Sequence, residues 1–371
     1  MIECIQLKNG LRVVLDPMPS LHSAVVSVWI DCSRTVLADA PAGLAHLVEH
    51  MLFKGTRQRD TLTIVNSIEG SGGSLNAITD KETTCYFARV LTEQVPVALD
   101  VLADMVQNPL FDTLDLAHEC QVIGHEIEAS QSKLDNRLLE QLVFTIWRNA
   151  TADDTPHPQA YPVIGTVDSV QSITREHLQA FHSAYYAPQN MVVSVVGCFD
   201  RSDVLEKLEG TLGQVVAEQQ GDGLSAMHQP VYQVTTMPLD PSASQAFVCL
   251  AVPGITANAD ERYSLGLLST ILSGGMSGVL FQELRRKRGL VYSVNTFELL
   301  YRCAGLFGVM AQTKGNTRQQ TVDTVRAVFD ALIEMPMNEA VVEQAKRKML
   351  GTLKLNMESP RYRSARNARN I

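Results

Sequence analysis

Three scarcities narrow this sequence before any motif is considered. No stretch approaches eighteen consecutive apolar residues, so no membrane-spanning helix is expected. The seven cysteines (Cys4, Cys32, Cys85, Cys120, Cys198, Cys249 and Cys303) are odd in number, scattered and never spaced C-x-x-C. A disulfide framework is therefore not expected, and they read as reduced thiols that fill core space. Positive charge is also in deficit, with 31 Lys plus Arg against 40 Asp plus Glu and a net charge of -9. Such a surface repels phosphate backbones on average, and nucleic acid is not an expected partner. The opening segment MIECIQLKNGLRVVLDP places Glu3 where a signal peptide would be basic and has no long apolar region behind it. The expectation is a cytoplasmic protein of bacterial type with no membrane partner.

What is present is a globular composition, 45% hydrophobic and 19% charged over 371 residues. At about 150 residues per domain this length predicts two to three domains. Strands are expected at Leu7–Asp16 and Ser23–Asp31, then a helix at Ala40–Phe53 opened by Pro41 and closed near Gly55. A short helix at Thr63–Glu69 and a two-strand segment, SLNAITDKETTCYFARVL, turning at Asp80-Lys81 come next. Helices are expected at Val95–Gln107 and Leu114–Arg148. Residues 149–168, with Asp153, Asp154, Pro156, Pro158, Pro162 and Gly165, suit an irregular loop. Helix, strand and helix are expected at Thr174–Tyr185, Met191–Gly197 and Ser202–Leu212, before polar residues 215–229 that read as a linker.

The pattern then begins again. A strand at Ala246–Val252, a helix at Glu261–Leu272, strands at Tyr292–Leu299 and Gly305–Gln312, and helices at Thr317–Glu334 and Asn338–Met357 repeat the earlier order. The expected fold class is α+β, with two similar domains, each a mostly antiparallel sheet packed with helices. Expected boundaries are a metal-binding domain at 1–212, a linker at 213–232 and a second domain at 233–371.

The sharpest local feature is His46-Leu47-Val48-Glu49-His50. On a helix, residues three and four apart share a face, so His46, Glu49 and His50 converge while Leu47, Met51 and Leu52 are left to pack. Two imidazoles so placed can share a Zn²⁺ at about 2.0–2.1 Å, and a third protein ligand leaves one position for water. The adjacent carboxylate can then accept a proton from that water. The plain alternative is a chance pair of histidines on a solvated or packed helix face. A third ligand must come from elsewhere, and the following long helix offers His118, Glu119, His125, Glu126 and Glu128, of which Glu119 and Glu126 share a face.

His46-x-x-Glu49-His50 is the inverzincin motif. With Glu126 standing 76 residues after His50, the whole chain resembles the pitrilysin and insulysin family. It is most similar to the short-chain branch that includes bacterial processing proteases and the mitochondrial processing peptidase β subunit. The resemblance implies one Zn²⁺ per chain on His46, His50 and Glu126, with Glu119 supporting the site and Glu49 as general base. It continues through HMLFKGT at 50–56 and GGSLNAITDKETTCYF at 72–87, where Asn76 and Ala77 match a strand that binds extended peptide by edge pairing. In LSGGMSGVLFQELRRKRGLVYSV at 272–294, Arg285 and Tyr292 match an arginine and tyrosine that assist catalysis; a tyrosine hydroxyl can donate to an oxyanion. Outside the resemblance, the basic run 285–288 would be a solvated helix end or an anion patch.

The implied protein is a zinc metalloendopeptidase whose two domains face across a cleft, acting on extended or unfolded peptides as a homodimer or a heterodimer. The rival implication is a non-catalytic or partner-dependent subunit, as in the core proteins of the respiratory cytochrome bc complex. Relatives continue for some tens of residues beyond the point matching Ile371, so the second domain is expected to be truncated at its C-terminus, without a last strand and closing helix.

Overall fold

A computed structural model describes residues 1–33, 35–37, 40–148, 156–216, 224–233, 245–335 and 337–371. Asp153 and Asp154 of the expected loop and residues 217–223 of the expected linker lie outside the described residues. The chain is a mixed α+β protein that divides into two compact units.

The first unit is built on a six-stranded sheet. Its strands are β1 (Glu3–Gln6), β2 (Arg12–Pro17), β3 (Ser23–Asp31), β5 (Ser74–Thr79), β6 (Thr83–Leu91) and β8 (Met191–Gly197), in the order β1-β2-β8-β3-β6-β5. Neighbours are antiparallel except β2 and β8, which run parallel. Two short strands, β4 (Thr35–Leu37) and β9 (Leu224–Ala226), pair separately. The first expected strand, Leu7–Asp16, is the turn and second strand of a β1–β2 hairpin: Gly10, at a φ of 89°, turns the chain, and the Asn9 side chain donates to the carbonyls of Leu212 and Val215. One face of the sheet carries Leu11, Val13, Leu15, Val26, Val28, Val193 and Val195 into the main core. Helices α1 (Leu44–Leu52), α3 (Val95–Gln107) and α7 (Arg175–Tyr185) contribute to that core.

The second unit repeats the sheet order. Strands β11 (Gln245–Pro253), β12 (Val291–Leu300) and β13 (Gly305–Lys314) lie β11-β13-β12, and in the first unit β3-β6-β5 lie the same way. In each, the first strand pairs with the third and the third with the second, all antiparallel. Helices α9 (Arg262–Ser273), α10 (Arg318–Glu334) and α11 (Glu339–Asn356) complete the repeated order.

A single boundary at residues 213–232 does not describe these units. The first consists of Met1–Glu128, Pro162–Met227 and Asn356–Ile371, the second of Ala129–Tyr161 and His228–Leu355. The crossing between Met227 and His228 falls inside the expected linker; the others do not. The expected helix Leu114–Arg148 is two, α4 (Thr113–Gln131) and α5 (Leu134–Ile146), followed by the short strand β7 (Trp147–Arg148). Val143, Ile146 and Trp147 pack with Ala304 and Leu306 of the second unit. Conversely, α12 (Pro360–Arg369) covers the back of the first sheet, where buried Asp16 and Ser27 stand beside Val14 and Val192.

On that back face Asp16 and Ser27 are 1% exposed. Arg363 grips Asp16 through Nε at 2.7 Å and Nη2 at 2.5 Å, Asn367 donates to it at 2.9 Å, and Ser364 meets Ser27 at 2.7 Å. A buried carboxylate is stable only with such partners. Arg363→Ala should therefore lower unfolding stability by about 3 kcal/mol in urea titration, whereas a change under 0.5 kcal/mol would mean that α12 does not hold this face.

His182 in α7 is stacked on Tyr186 at 4.6 Å, and its Nε2 donates to the Val106 carbonyl at 2.7 Å. Burial lowers its pKa, only partly offset by that hydrogen bond. The unfolded state, near pKa 6.5, thus takes up the proton first. Its contribution to stability is whole above the unfolded pKa and is lost as the pH falls below about 6.5. His182→Gln should flatten the fall in stability between about pH 7 and pH 5 relative to the parent in parallel urea titrations; identical slopes would overturn this assignment.

Candidate metal centre

Helix α1 is anchored by its apolar face. Leu47, Val48, Met51 and Leu52 are fully buried, which leaves His46, Glu49 and His50 half-buried on the other side. The helix begins at Leu44 rather than Ala40 because Gly43 stands at a φ of 91°. A Cβ there would lie 2.8 Å from the Ile164 carbonyl and 2.9 Å from Val170, so only glycine fits this start.

Helix α4 lays Leu116, Glu119, Ile123 and Ile127 inward, and Glu119 is 5% exposed. Its Oε2 accepts from His50 Nδ1 at 2.8 Å and its Oε1 pairs with Lys54 at 2.5 Å. Burial raises the Glu119 pKa, but hydrogen bonds from His50 and Lys54 outweigh it and the net shift is downward. With Nδ1 so held, His50 presents Nε2 to the site, 3.8 Å from Glu126 Oε2. His46 Nε2 lies 3.9 Å from the same oxygen. The donor atoms of His46, His50 and Glu126 all lie within 4.8 Å of one another, the one such cluster among the described residues. His118, His125 and Glu128 are exposed and outside it.

This donor set suits Zn²⁺: two imidazoles and a carboxylate, with one imidazole tied to a second carboxylate as metal-binding histidines usually are. Burial, reinforced by His50, pushes the His46 pKa down to about 4, which keeps its ring neutral and its lone pair available. For His50 burial acts downward, but Glu119, Glu126 and Glu49 together raise its pKa, so a proton and a cation compete for Nε2. His46 has no support matching that of His50; its Nδ1 is buried without a partner among the described residues. Glu126 is 44% exposed on its side chain and so has freedom to close on an ion. Glu49 has its pKa raised, mainly by burial and against a hydrogen bond from Thr79.

Asn76 and Ala77 lie on β5, which forms the sheet's edge. Asn76 is exposed, with its Oδ1 accepting from the Ala77 amide at 2.8 Å, while Ala77 is buried and pairs with Tyr86. Arg285 and Tyr292 belong to the second unit and meet each other, the guanidinium 5.4 Å from the ring centroid. Arg285 leaves a π-helical turn, Phe281–Arg286, and Tyr292 is 72% exposed. Sequence reasoning gave no role to Lys54, although it stands in the HMLFKGT block, nor to Thr79 in SLNAIT. The only signal for either was its place in a block already quoted.

Glu119→Gln removes the charge that orients His50 and should weaken Zn²⁺ binding about 10–100-fold in chelator competition. Affinity within twofold of the parent would show that Glu119 does not support the site.

Two family models match the chain: Insulinase (Peptidase family M16) over residues 12–157 and Peptidase M16 inactive domain over residues 172–349. Uncharacterized zinc protease YmxG of Bacillus subtilis is 32% identical over 370 residues, spanning 100% of this chain and 88% of that protein. Uncharacterized zinc protease SCO5738 of Streptomyces coelicolor is 32% identical over 95% of this chain and 76% of its own length. A solved protease from Helicobacter pylori shares the fold at a TM-score of 0.85 and 21% identity, covering 98% of this chain and 87% of the other. His46, Glu49, His50 and Glu126 fall within the first matched segment, Arg285 and Tyr292 within the second. On these matches the chain belongs to the insulinase family, peptidase family M16.

Proposed function

We propose that this chain is a zinc-dependent endopeptidase that hydrolyses peptide bonds of extended or unfolded peptides. The observation that carries the reading is the convergence of His46, His50 and Glu126 beside Glu49, in a chain whose relatives are named zinc proteases. His46, His50 and Glu126 hold one Zn²⁺, and Glu119 keeps His50 in the tautomer that offers Nε2. When bound, zinc polarises the scissile carbonyl and lowers the pKa of the attacking water. Glu49 accepts that water's proton and passes it to the departing amine; burial, which raises its pKa, suits it to both tasks. The edge of β5 at Asn76 and Ala77 pairs with the extended substrate, which selects for unfolded segments because a folded chain has its backbone groups engaged. Arg285 holds a substrate carbonyl or carboxylate and Tyr292 donates to the oxyanion.

The working location is the cytoplasm; no helix among the described residues is long and apolar enough to cross a membrane. The working assembly is a homodimer, since one chain carries both the histidine motif and the Arg-Tyr pair. A second reading, a partner-dependent or non-catalytic subunit of a processing-peptidase-like heterodimer, draws support from the match of residues 172–349 to an inactive-domain model.

Zinc content, sedimentation and cleavage of a quenched unstructured peptide test these readings together. The parent should carry one zinc per chain, sediment as a dimer and lose activity to a chelator. Glu49→Gln should keep its zinc and fall about 10²–10⁴-fold in kcat. Stoichiometric zinc with cleavage no faster than Glu49→Gln, with or without added partner chains, would sink the peptidase reading.

A further inference from the structure

We propose that Thr79 is the positioning residue of the general base: its hydroxyl holds one carboxylate oxygen of Glu49 and leaves the other to take the proton. The inference rests on the peptidase reading above.

Thr79 ends β5, where burial alternates. Leu75, Ala77 and Thr79 turn inward while Ser74, Asn76 and Ile78 are exposed. The inward row reaches α1, and there Thr79 Oγ1 donates to Glu49 Oε2. No other hydrogen bond to the Glu49 carboxylate is made among the described residues. Oε1 is thus the free acceptor.

The direction of the Thr79 hydroxyl is fixed from behind. Thr84 stands directly opposite Thr79 in the β5–β6 ladder, its Oγ1 3.3 Å away, and is 1% exposed. A carboxylate only accepts, and each hydroxyl has one proton. Thr79 must therefore give its proton to Glu49, so Thr84 donates to Thr79. Both hydroxyls point toward Glu49. A glutamate has three side-chain torsions to lose, and catalytic geometry tolerates only about 0.5 Å of error. The threonine pair supplies that restraint from paired strands rather than from a loop.

The test uses the full chain with Thr79→Val, which keeps the β-branched shape without the hydroxyl, and Thr79→Ser, which restores it. With zinc bound, Thr79→Val should lose about 10–100-fold in kcat with KM unchanged within about threefold. Zinc stoichiometry and melting temperature should match the parent, and Thr79→Ser should recover to within about threefold of the parent kcat. In crystal structures of the metal-free proteins, the parent and Thr79→Ser should show one Glu49 conformer against the residue 79 hydroxyl, and Thr79→Val a displaced or divided one. An unchanged Glu49 conformer in Thr79→Val overturns the proposal even if no peptidase activity is found in the parent. So does a kcat within twofold of an active parent, or a loss that serine does not rescue or that tracks with lost zinc. Absence of activity in the parent alone counts against the peptidase reading and leaves the conformer comparison to decide the role of Thr79.

Discussion

A single buried carboxylate ties the fold to the site. Glu119 is tolerated in the interior because His50 and Lys54 take one oxygen each, and those two residues bracket the end of α1. The same pair of contacts locks α4 against α1. Glu126, two helical turns beyond Glu119, is thereby carried to the imidazoles. Stability and chemistry depend on one arrangement: without the cations the carboxylate is too costly to bury, and without the carboxylate His50 loses its orientation.

The back of the first sheet follows similar logic with different partners. Strands β2, β3 and β8 are apolar toward the main core but carry Asp16, Ser27 and Ser194 on the other side. An apolar helix would strand Asp16 and Ser27, and α12 instead brings Arg363 and Asn367 to the first and Ser364 to the second. Trp29 and Val14 fill the gaps beside Ala368.

The local chemistry was legible in the sequence because it is local. His46, Glu49 and His50 are set by helical spacing alone, and the paired strands around Asp80-Lys81 by alternation and a turn. Glu126 came only through family resemblance, since spacing left it level with Glu119, which shares its face. The repeat was legible as an order of elements, and the sheets bear it out in their shared strand order. What could not be read was which sheet each helix covers. The amphipathic pattern of α5 and α12 shows that each has a buried side but not what buries it. The break between α4 and α5 at Ser132-Lys133 carries no proline or glycine, so the sequence offered no stop signal there. Thr79 was hidden for a related reason: a threonine at a strand end is ordinary until a carboxylate is found against it.

The bond between Asp16 and Arg363 joins residues 347 apart in sequence. Chains are made from the amino end, so β2 exists long before the helix that neutralises its buried aspartate. Until that helix is synthesised, the first sheet carries a carboxylate and two serines on an uncovered face, while its other face has all the strands and helices it needs. On the ribosome the metal-bearing half is then a one-sided intermediate, open to water on the face that α12 covers. Covering that face waits on translation of α12, and such long-range closure is intrinsically slow.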